Sequence, residues 1–544
     1  MTTQVRHSYP IVLSGLLAGF AYPLWVGVPT GFLMWFALVP LFLALKNTVD
    51  FKTYFFKTYG FILVNGLIFS HFVAASGITN WLFSYLLQPI LMFMPFAVYY
   101  FFQRGMGWRK ALWALPFIWA ACDWLQHLVP HSFQISSIAY TQTTVIWFAQ
   151  IADIFGMWGI TFWLVLLNAT IAFTIDTIKN TDIKKPKHTP LSNFSIFVKK
   201  WAWQAAVLFG LPLLYAFFAY LNLPTDKQIK VALVQTNENS YAAMDSIAHL
   251  KSIQNVIRLA NEAAKTEPDL IVVPESAFNL PLLQDTAAFS LLQYYISNWH
   301  TSLAVGFPHY PDSSDFSKKY NSAIVFTPQL AEEWHQLHLT ADKIKVYHKQ
   351  NPLPFMEYMP YADWLGFRNV LGLNGSEILR GDKTNVFNFP DKNLNTVKTS
   401  ATICWEQLFP KTQAELTEKG ATFLSQMNND GWFGNTIGQG FLLNTNRMRA
   451  IENRRTIARS SNTGFSTFID PFGRLYGTIE PFTEAFGTGN VYLNSELSFF
   501  TKYKNWFPKA CFFICILYIF FSFIMQTKML KSNNKKSMIL FKKY

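Results

Sequence analysis

Hydrophobic and polar positions divide the chain into two regimes. Residues 7–45 and 58–103 contain no Lys, Arg, Asp or Glu, and residues 111–175 carry only Asp123 and Asp153. A helix that crosses a bilayer needs about 20 apolar residues. On that basis the pattern predicts spans near 9–24, 31–45, 55–76, 81–102, 110–129, 156–175, 201–221 and 508–526. The first two are short and are separated by Pro23, Gly27, Pro29 and Gly31, so they read as two tilted helices or as one broken hairpin. Asp123, His127 and Asp153 fall at or near the ends of apolar stretches and read as hydrated interfacial residues rather than a proton relay.

From residue 224 to 506 the periodicity changes. Short β-branched runs at 229–235, 269–275, 303–307, 322–326, 398–404 and 422–427 predict strands, and amphipathic stretches at 241–266 and 439–460 predict helices. Such alternation predicts an α/β domain. The expected organisation is a membrane domain over 1–223, an α/β domain over 224–506, a last transmembrane helix over 507–526 and a basic tail over 527–544. No internal repeat is visible.

Composition agrees with this division. A mean hydropathy of +0.17 lies between that of a soluble enzyme and that of a pure membrane bundle, and collagen, coiled coil, disorder and a small disulfide scaffold are excluded. The net charge of +13 would suggest a nucleic-acid binder if it lay in the polar domain. It does not: residues 224–506 hold 25 basic against 27 acidic side chains.

The positive charge instead occupies every second connection between apolar stretches. Arg6 precedes the first; Lys46, Lys52 and Lys57 follow the second; Arg104, Arg109 and Lys110 follow the fourth. Lys179, Lys184, Lys185, Lys187, Lys199 and Lys200 follow the sixth, and Lys528, Lys531, Lys535, Lys536, Lys542 and Lys543 follow the last. Connections 25–30, 77–80 and 130–155 have no Lys or Arg. Because basic loops are retained in the cytoplasm, both termini are expected there and residues 224–506 outside. Only Arg6 precedes the first apolar stretch and no small-x-small site follows it, so no cleaved signal peptide is expected.

Cysteine usage narrows the chemistry. Cys122, Cys511 and Cys515 lie in expected spans, which leaves Cys404 as the one thiol of the outer domain. A lone thiol there is either a small buried hydrophobe or a group in use. Cys404 stands where an apolar strand gives way to polar residues, in 403-ICWEQLFP-410. Glu275 follows another apolar run, and Lys349 closes 344-IKVYHK-349. Parallel strands collect their C-terminal ends along one sheet edge, where these three would supply a nucleophile, a base and a cation for a developing oxyanion. Singly, Glu275 and Lys349 read as surface charges, Lys349 as an exposed cleft residue. No G-x-S-x-G, Walker loop or G-x-G-x-x-G is present. His335 and His338, spaced i, i+3, lack an acidic or Cys partner at matching spacing, so no metal and no cofactor are expected.

At these residues the chain resembles the apolipoprotein N-acyltransferases of bacterial envelopes, whose outer domain belongs to the nitrilase superfamily. The likeness runs through 35-WFALVPLFLAL-45, 114-ALPFIWAACDWL-125 and 139–169 in the apolar part. In the outer domain it runs through 232-ALVQTN-237, 273-VPESAF-278, 347-YHKQNPLPFMEYMP-360, 403-ICWE-406, 428-NNDGWFG-434 and 449–466. The resemblance implies a polytopic α-helical membrane domain carrying an αββα nitrilase-like extracytoplasmic domain in the bacterial inner membrane. It also implies a monomer that needs neither metal nor cofactor. The catalytic residues it implies are Glu275 as base, Lys349 for the oxyanion and Cys404 as nucleophile. Glu357 and Glu406 match the family's additional essential acids, and Trp432 matches an aromatic near the acyl-binding region. The expected donor is a membrane phospholipid and the expected acceptor a diacylglyceryl lipoprotein.

The chain differs from the family's pattern beyond Lys349, at Pro352, Leu353 and Met356, and also over 236–246 and at 131-HSFQ-134. Arg449 and Glu452 read as a helix ion pair. A membrane-tethered amidase acting on a small amide, and a transporter or scaffold with a ligand-binding outer domain, are the alternative readings.

The charge pattern yields a topological prediction. In a background without native cysteines, a cysteine at position 185 is expected to stay unlabelled by a membrane-impermeant thiol reagent in intact cells, whereas one at 404 is expected outside. Labelling at 185 would overturn the orientation.

Overall fold

The structure is a computed structural model that describes residues 3–130, 132–182, 190–223, 227–240, 246–278, 281–312, 315, 317–337, 344–358 and 377–520. Lys184, Lys185, Lys187, His131, His338, residues 241–245, 359–376 and 521–526, and the tail 527–544 lie outside them.

Four described helices are long and apolar enough to cross a membrane: Phe51–Ser76, Ser84–Met106, Met157–Asn180 and Trp201–Leu221. Shorter apolar helices are Ser8–Ala21, Thr30–Leu45, Ile146–Phe155 and Trp506–Phe520. The expected second span is not one α-helix. A 3₁₀ turn, Thr30–Trp35, precedes the helix Val39–Leu45, which has Pro40 in its first turn. The expected fifth span is interrupted as well, into Trp108–Ala111 and Leu115–Gln126, because Pro116 sits where it can only open a helix. Apolar length is legible from sequence, but a proline within it marks a break rather than a continuation. Trp201–Leu221 is only 11% buried, and Trp203, Leu211, Leu214, Phe217 and Phe218 are exposed, as a lipid-facing surface requires.

The α/β part is built on two sheets. The first runs in the order Ala485–Tyr492, Gln228–Gln235, Leu270–Val272, Ser302–His309, Lys318–Phe326, Tyr347–His348. The second runs Leu475–Ile479, Ser466–Ile469, Ile457–Ser461, Leu424–Asn428, Thr402–Ile403. Their inner faces share one core, in which Val231, Leu233, Ile271 and Val305 meet Ile403, Met427, Ala458 and Phe468. Ser460 Oγ donates to Val234 O across the gap at 2.7 Å. Helix Ser246–Ala264 packs on the first sheet with Thr286–Trp299 beside it, and Gly438–Asn453 contacts the second with Pro410–Glu418 beside it, giving the expected αββα layers.

Two expected elements end differently. The strand at 398–404 splits into Thr396–Thr399 and Thr402–Ile403. The helix expected to reach 460 stops at Asn453, where Arg454 adopts a left-handed cap at φ 50° and the chain re-enters the sheet at Ile457. The Arg454 side chain explains that stop. Its Nη2 pairs with Asp153 at 2.8 Å and its Nη1 donates to Gln150 at 2.6 Å, contacts that sequence periodicity does not register.

Helix Gly438–Asn453 joins the two parts, and all its residues except Arg447 are buried. A Cβ on Gly438 would lie 2.4 Å from the Phe72 ring, so only glycine admits this approach to the helix Phe51–Ser70 and its 3₁₀ extension. Arg449 and Glu452 form the expected pair at 3.3 Å, but both are fully buried, and Glu452 Oε1 also accepts from Met157 N at 2.8 Å. Asp123 and Asp153 are not hydrated interfacial residues. Asp123 is buried and accepts from Ser137 and Thr161, and Asp153 accepts from Tyr215 beside Arg454. His127 packs edge-on to Trp158. Tertiary contacts cover positions that a linear reading leaves at a membrane surface.

Removing one partner of a buried pair leaves an uncompensated charge, at about 3–5 kcal/mol. Glu452→Ala is therefore expected to lower the thermal midpoint of the detergent-solubilised protein by several degrees, and Arg449→Met on that background to restore part of it. An unchanged midpoint for Glu452→Ala would show that the pair does not hold the two parts together.

Candidate active site

Three strand ends deliver the expected side chains to one place. Strand Leu270–Val272 is followed by Val273 and Pro274, then Glu275, with Ser276 turning the chain at φ 55°. Strand Tyr347–His348 releases Lys349. Both lie in the first sheet, whereas Cys404 leaves Thr402–Ile403 of the second. The expectation of a single sheet edge is thus corrected: the site forms between two sheets that face each other. Cys404 holds φ 48°, a left-handed conformation uncommon for a non-glycine residue, and opens the 3₁₀ turn Cys404–Leu408. Glu357 comes from the tight turn 353–358. Leu353 N donates to its Oε2 at 2.5 Å, and Phe355 reverses the chain at φ 64°.

These groups meet out of water. Lys349 is 1% exposed rather than cleft-exposed, and its Nζ lies 2.8 Å from Glu357 Oε1 and 3.4 Å from Glu275 Oε1. Burial opposes its charge, but the Glu357 and Glu275 carboxylates outweigh burial and raise its pKa above the usual lysine value. Asn321 Nδ2 donates to Glu275 Oε1 at 2.7 Å, while Oε2 is buried with no hydrogen-bond partner among the described residues. Burial, countered by Lys349, raises the Glu275 pKa, the direction that suits a proton acceptor from a thiol. Burial and the Glu275 charge push the Cys404 thiol up, with Lys349 opposing. These directions favour the protonated thiol at rest.

Glu406 works differently. Fully buried, it accepts from Tyr347 OH at 2.6 Å and Gln350 N at 2.7 Å on one side, and from Ile403 N at 2.9 Å on the other. One carboxylate therefore ties the chain around Lys349 to the residue before Cys404, holding cation and thiol in register across two sheets.

The three groups line a cavity of 590 Å³. Leu353, Phe355, Met356 and Trp432 supply apolar wall, and Thr236, Ser240, Asn429 and Asn462 supply polar wall. Its apolar side touches the membrane part. Phe133 stacks on Phe355 at 5.7 Å and 13°, and meets Trp405 edge-on at 6.4 Å. Tyr358 OH donates to Pro130 O.

A family model for carbon-nitrogen hydrolases matches residues 230–496, and one for the apolipoprotein N-acyltransferase N-terminal domain matches residues 14–170. The chain belongs to the apolipoprotein N-acyltransferase family. The apolipoprotein N-acyltransferase of Chlorobaculum tepidum is 28% identical over 521 residues, covering 92% of this chain and 93% of that protein. That of Geobacter metallireducens is 27% identical over 511 residues, 92% of each. The crystal structure of Saccharomyces cerevisiae Nit3, a member of branch 10 of the nitrilase superfamily, overlaps 49% of this chain and 91% of that chain. At 19% identity and a TM-score of 0.34, that likeness is too partial to bear on function.

Sequence reading singled out Glu275, Lys349, Glu357, Cys404 and Trp432, and the cavity gathers all five, while Glu406 stands behind it. It passed over Asn321, Tyr347 and Phe133. Asn321 carried one signal, a polar residue within a strand otherwise turning apolar; Phe133 lay in 131-HSFQ-134, a departure from the family's pattern, with nothing to place it beside the domain.

Glu406→Ala leaves a buried phenol and backbone N–H groups without acceptors, at about 1–3 kcal/mol for each such group. Both a lower thermal midpoint and slower alkylation of Cys404 by iodoacetamide are expected. A variant that keeps the wild-type alkylation rate would show that Glu406 does not hold the thiol in place.

Proposed function

We propose that this protein transfers a fatty acyl chain from a membrane phospholipid to the α-amino group of the S-diacylglyceryl cysteine at the N-terminus of apolipoproteins. The observation that carries this reading is the cavity itself. A thiol, a carboxylate with one oxygen unbonded among the described residues and a buried ammonium share one chamber, and its apolar wall is continuous with membrane-part residues through Phe355 and Phe133. The curated relatives that span 92% of this chain carry the name apolipoprotein N-acyltransferase.

In the first step Glu275 takes the Cys404 proton and the sulfur attacks an ester carbonyl of the phospholipid. The Lys349 ammonium offsets charge on the tetrahedral oxyanion. Its salt bridges to Glu275 and Glu357 hold it in place beforehand, so little reorganisation accompanies charge development. The carbon–oxygen bond then breaks, the departing alkoxide takes the proton from Glu275, and lysophospholipid leaves a thioester on Cys404. In the second step the lipoprotein amine attacks that thioester and gives its proton to Glu275. The thiolate departs and recovers the proton, and an N-acyl lipoprotein is released. Glu357 and Glu406 position Lys349 and Cys404, and Trp432 lies along the acyl chain.

Both substrates are lipid-anchored, which is why the reaction needs a membrane base. In this reading the α/β part faces the periplasm and both termini the cytoplasm, in keeping with the distribution of Lys and Arg.

Incubation with phospholipid and no acceptor is expected to add one fatty-acyl mass at Cys404, labile to neutral hydroxylamine and cleared by a diacylglyceryl lipopeptide to give the N-acyl product. Clearance by water at the same rate would favour the amidase reading. An unmodified thiol throughout turnover would sink the covalent route. Lys349→Met is expected to slow acylation by about 10²- to 10³-fold. Because Lys349 is buried between two carboxylates, the same variant is also expected to be less stable. Wild-type acylation by Lys349→Met would remove the lysine from the mechanism.

A further inference from the structure

A second lysine reaches the same cavity and the acyl-transfer chemistry leaves it unused. Lys319 stands two residues before Asn321 on strand Lys318–Phe326. Alternate residues of a strand share a face, and Asn321 reaches Glu275 from that face, so Lys319 projects from the same side. Two residues of strand rise about 7 Å, which places Lys319 one step outward from the Glu275–Lys349 pair. Both Lys319 and Asn321 line the cavity.

Its ammonium has no ion pair or hydrogen bond among the described residues, although its backbone is held where Leu379 N donates to Lys319 O at 2.8 Å. The nearby Glu357 carboxylate is already engaged by Lys349 and Leu353 N. Burial lowers the Lys319 pKa, with Glu357 opposing. A partly desolvated cation in this cavity, with no ion pair or hydrogen bond among the described residues, calls for an anion from the substrate.

We propose that Lys319 is the specificity-determining contact for the phosphodiester of the acyl donor. The inference rests on the acyl-transfer reading above and deepens it. In a glycerophospholipid the phosphodiester is separated from an ester carbonyl by a short glycerol backbone, and it carries a full negative charge. With that carbonyl at Cys404 and the acyl chain against Phe355 and Met356, the phosphodiester comes to the outer step of the strand, where Lys319 is. A lysine suits this task as a compact point charge that tolerates different headgroups beyond the phosphate. An acyl ester without phosphate gains nothing from it.

The test compares two donors on the full-length protein in detergent micelles, reading acylation of Cys404 by mass. One donor is phosphatidylglycerol; the other is a p-nitrophenyl fatty-acyl ester, which has no phosphate. For Lys319→Gln the KM for phosphatidylglycerol is expected to rise about tenfold or more, as loss of a charge-assisted bond implies, while kinetics with the p-nitrophenyl ester stay within twofold of wild type. Lys319→Glu is expected to be worse with phosphatidylglycerol alone, and Lys319→Arg to restore most of the wild-type KM. Equal losses on both donors, or no loss on either, would overturn the proposal while leaving acyl transfer standing. Wild-type protein that phosphatidylglycerol fails to acylate would overturn the acyl-transfer reading and this proposal with it.

Discussion

A lysine ammonium taken out of water between two carboxylates, beside a thiol, is the constraint on which the rest of the site depends. An isolated buried charge is strongly unfavourable, and the mutual attraction repays desolvation only where geometry is good and remaining groups are bonded. Lys349 meets that condition with Glu357 at 2.8 Å and Glu275 at 3.4 Å. Each carboxylate is in turn held by Asn321 or by Leu353 N, so displacement of any one member exposes the others. Glu275 Oε2 is buried with no hydrogen-bond partner among the described residues.

That arrangement cannot be assembled from one sheet. Glu275 and Lys349 come from the first and Cys404 from the second, so the distance between carboxylate and thiol is set by how the sheets pack. Glu406 spans the gap directly, accepting from Gln350 N and Ile403 N with the two oxygens of one carboxylate. The membrane part enters through Phe133, which touches Phe355 on the Glu357 turn and Trp405 next to Cys404. Catalytic and membrane parts are therefore one packed body at this point, with a core that runs from Phe72 and Tyr140 into Phe441, Leu442 and Ile451.

Much of this was legible in linear form. Charge-free stretches marked the membrane part, strand–helix alternation marked the α/β part, and the short motifs around Glu275, Lys349 and Cys404 marked the strand ends that carry chemistry. Errors fell where a long-range contact overrides a local pattern. Helical periodicity through 460 failed at Arg454 because that side chain is held by Asp153 and Gln150, far away in sequence. Asp123 read as hydrated because it falls near the end of an apolar stretch, yet it is buried against Ser137 and Thr161.

Local sequence by itself determined which segments are apolar enough for lipid, which runs form strands and where each reactive side chain leaves its strand. Those properties depend on residues within one or two turns of each other, and hydrophobicity, β-branching and proline act at that range. Tertiary structure alone decided that Lys349 is buried rather than exposed, that Cys404 and Glu275 reach one cavity from different sheets, that Lys319 lines that cavity, and that Phe133 packs against its wall at Phe355. Burial and electrostatic environment are sums over neighbours contributed by distant parts of the chain. A lysine becomes a buried cation, or one lining a cavity, only once those neighbours are in place.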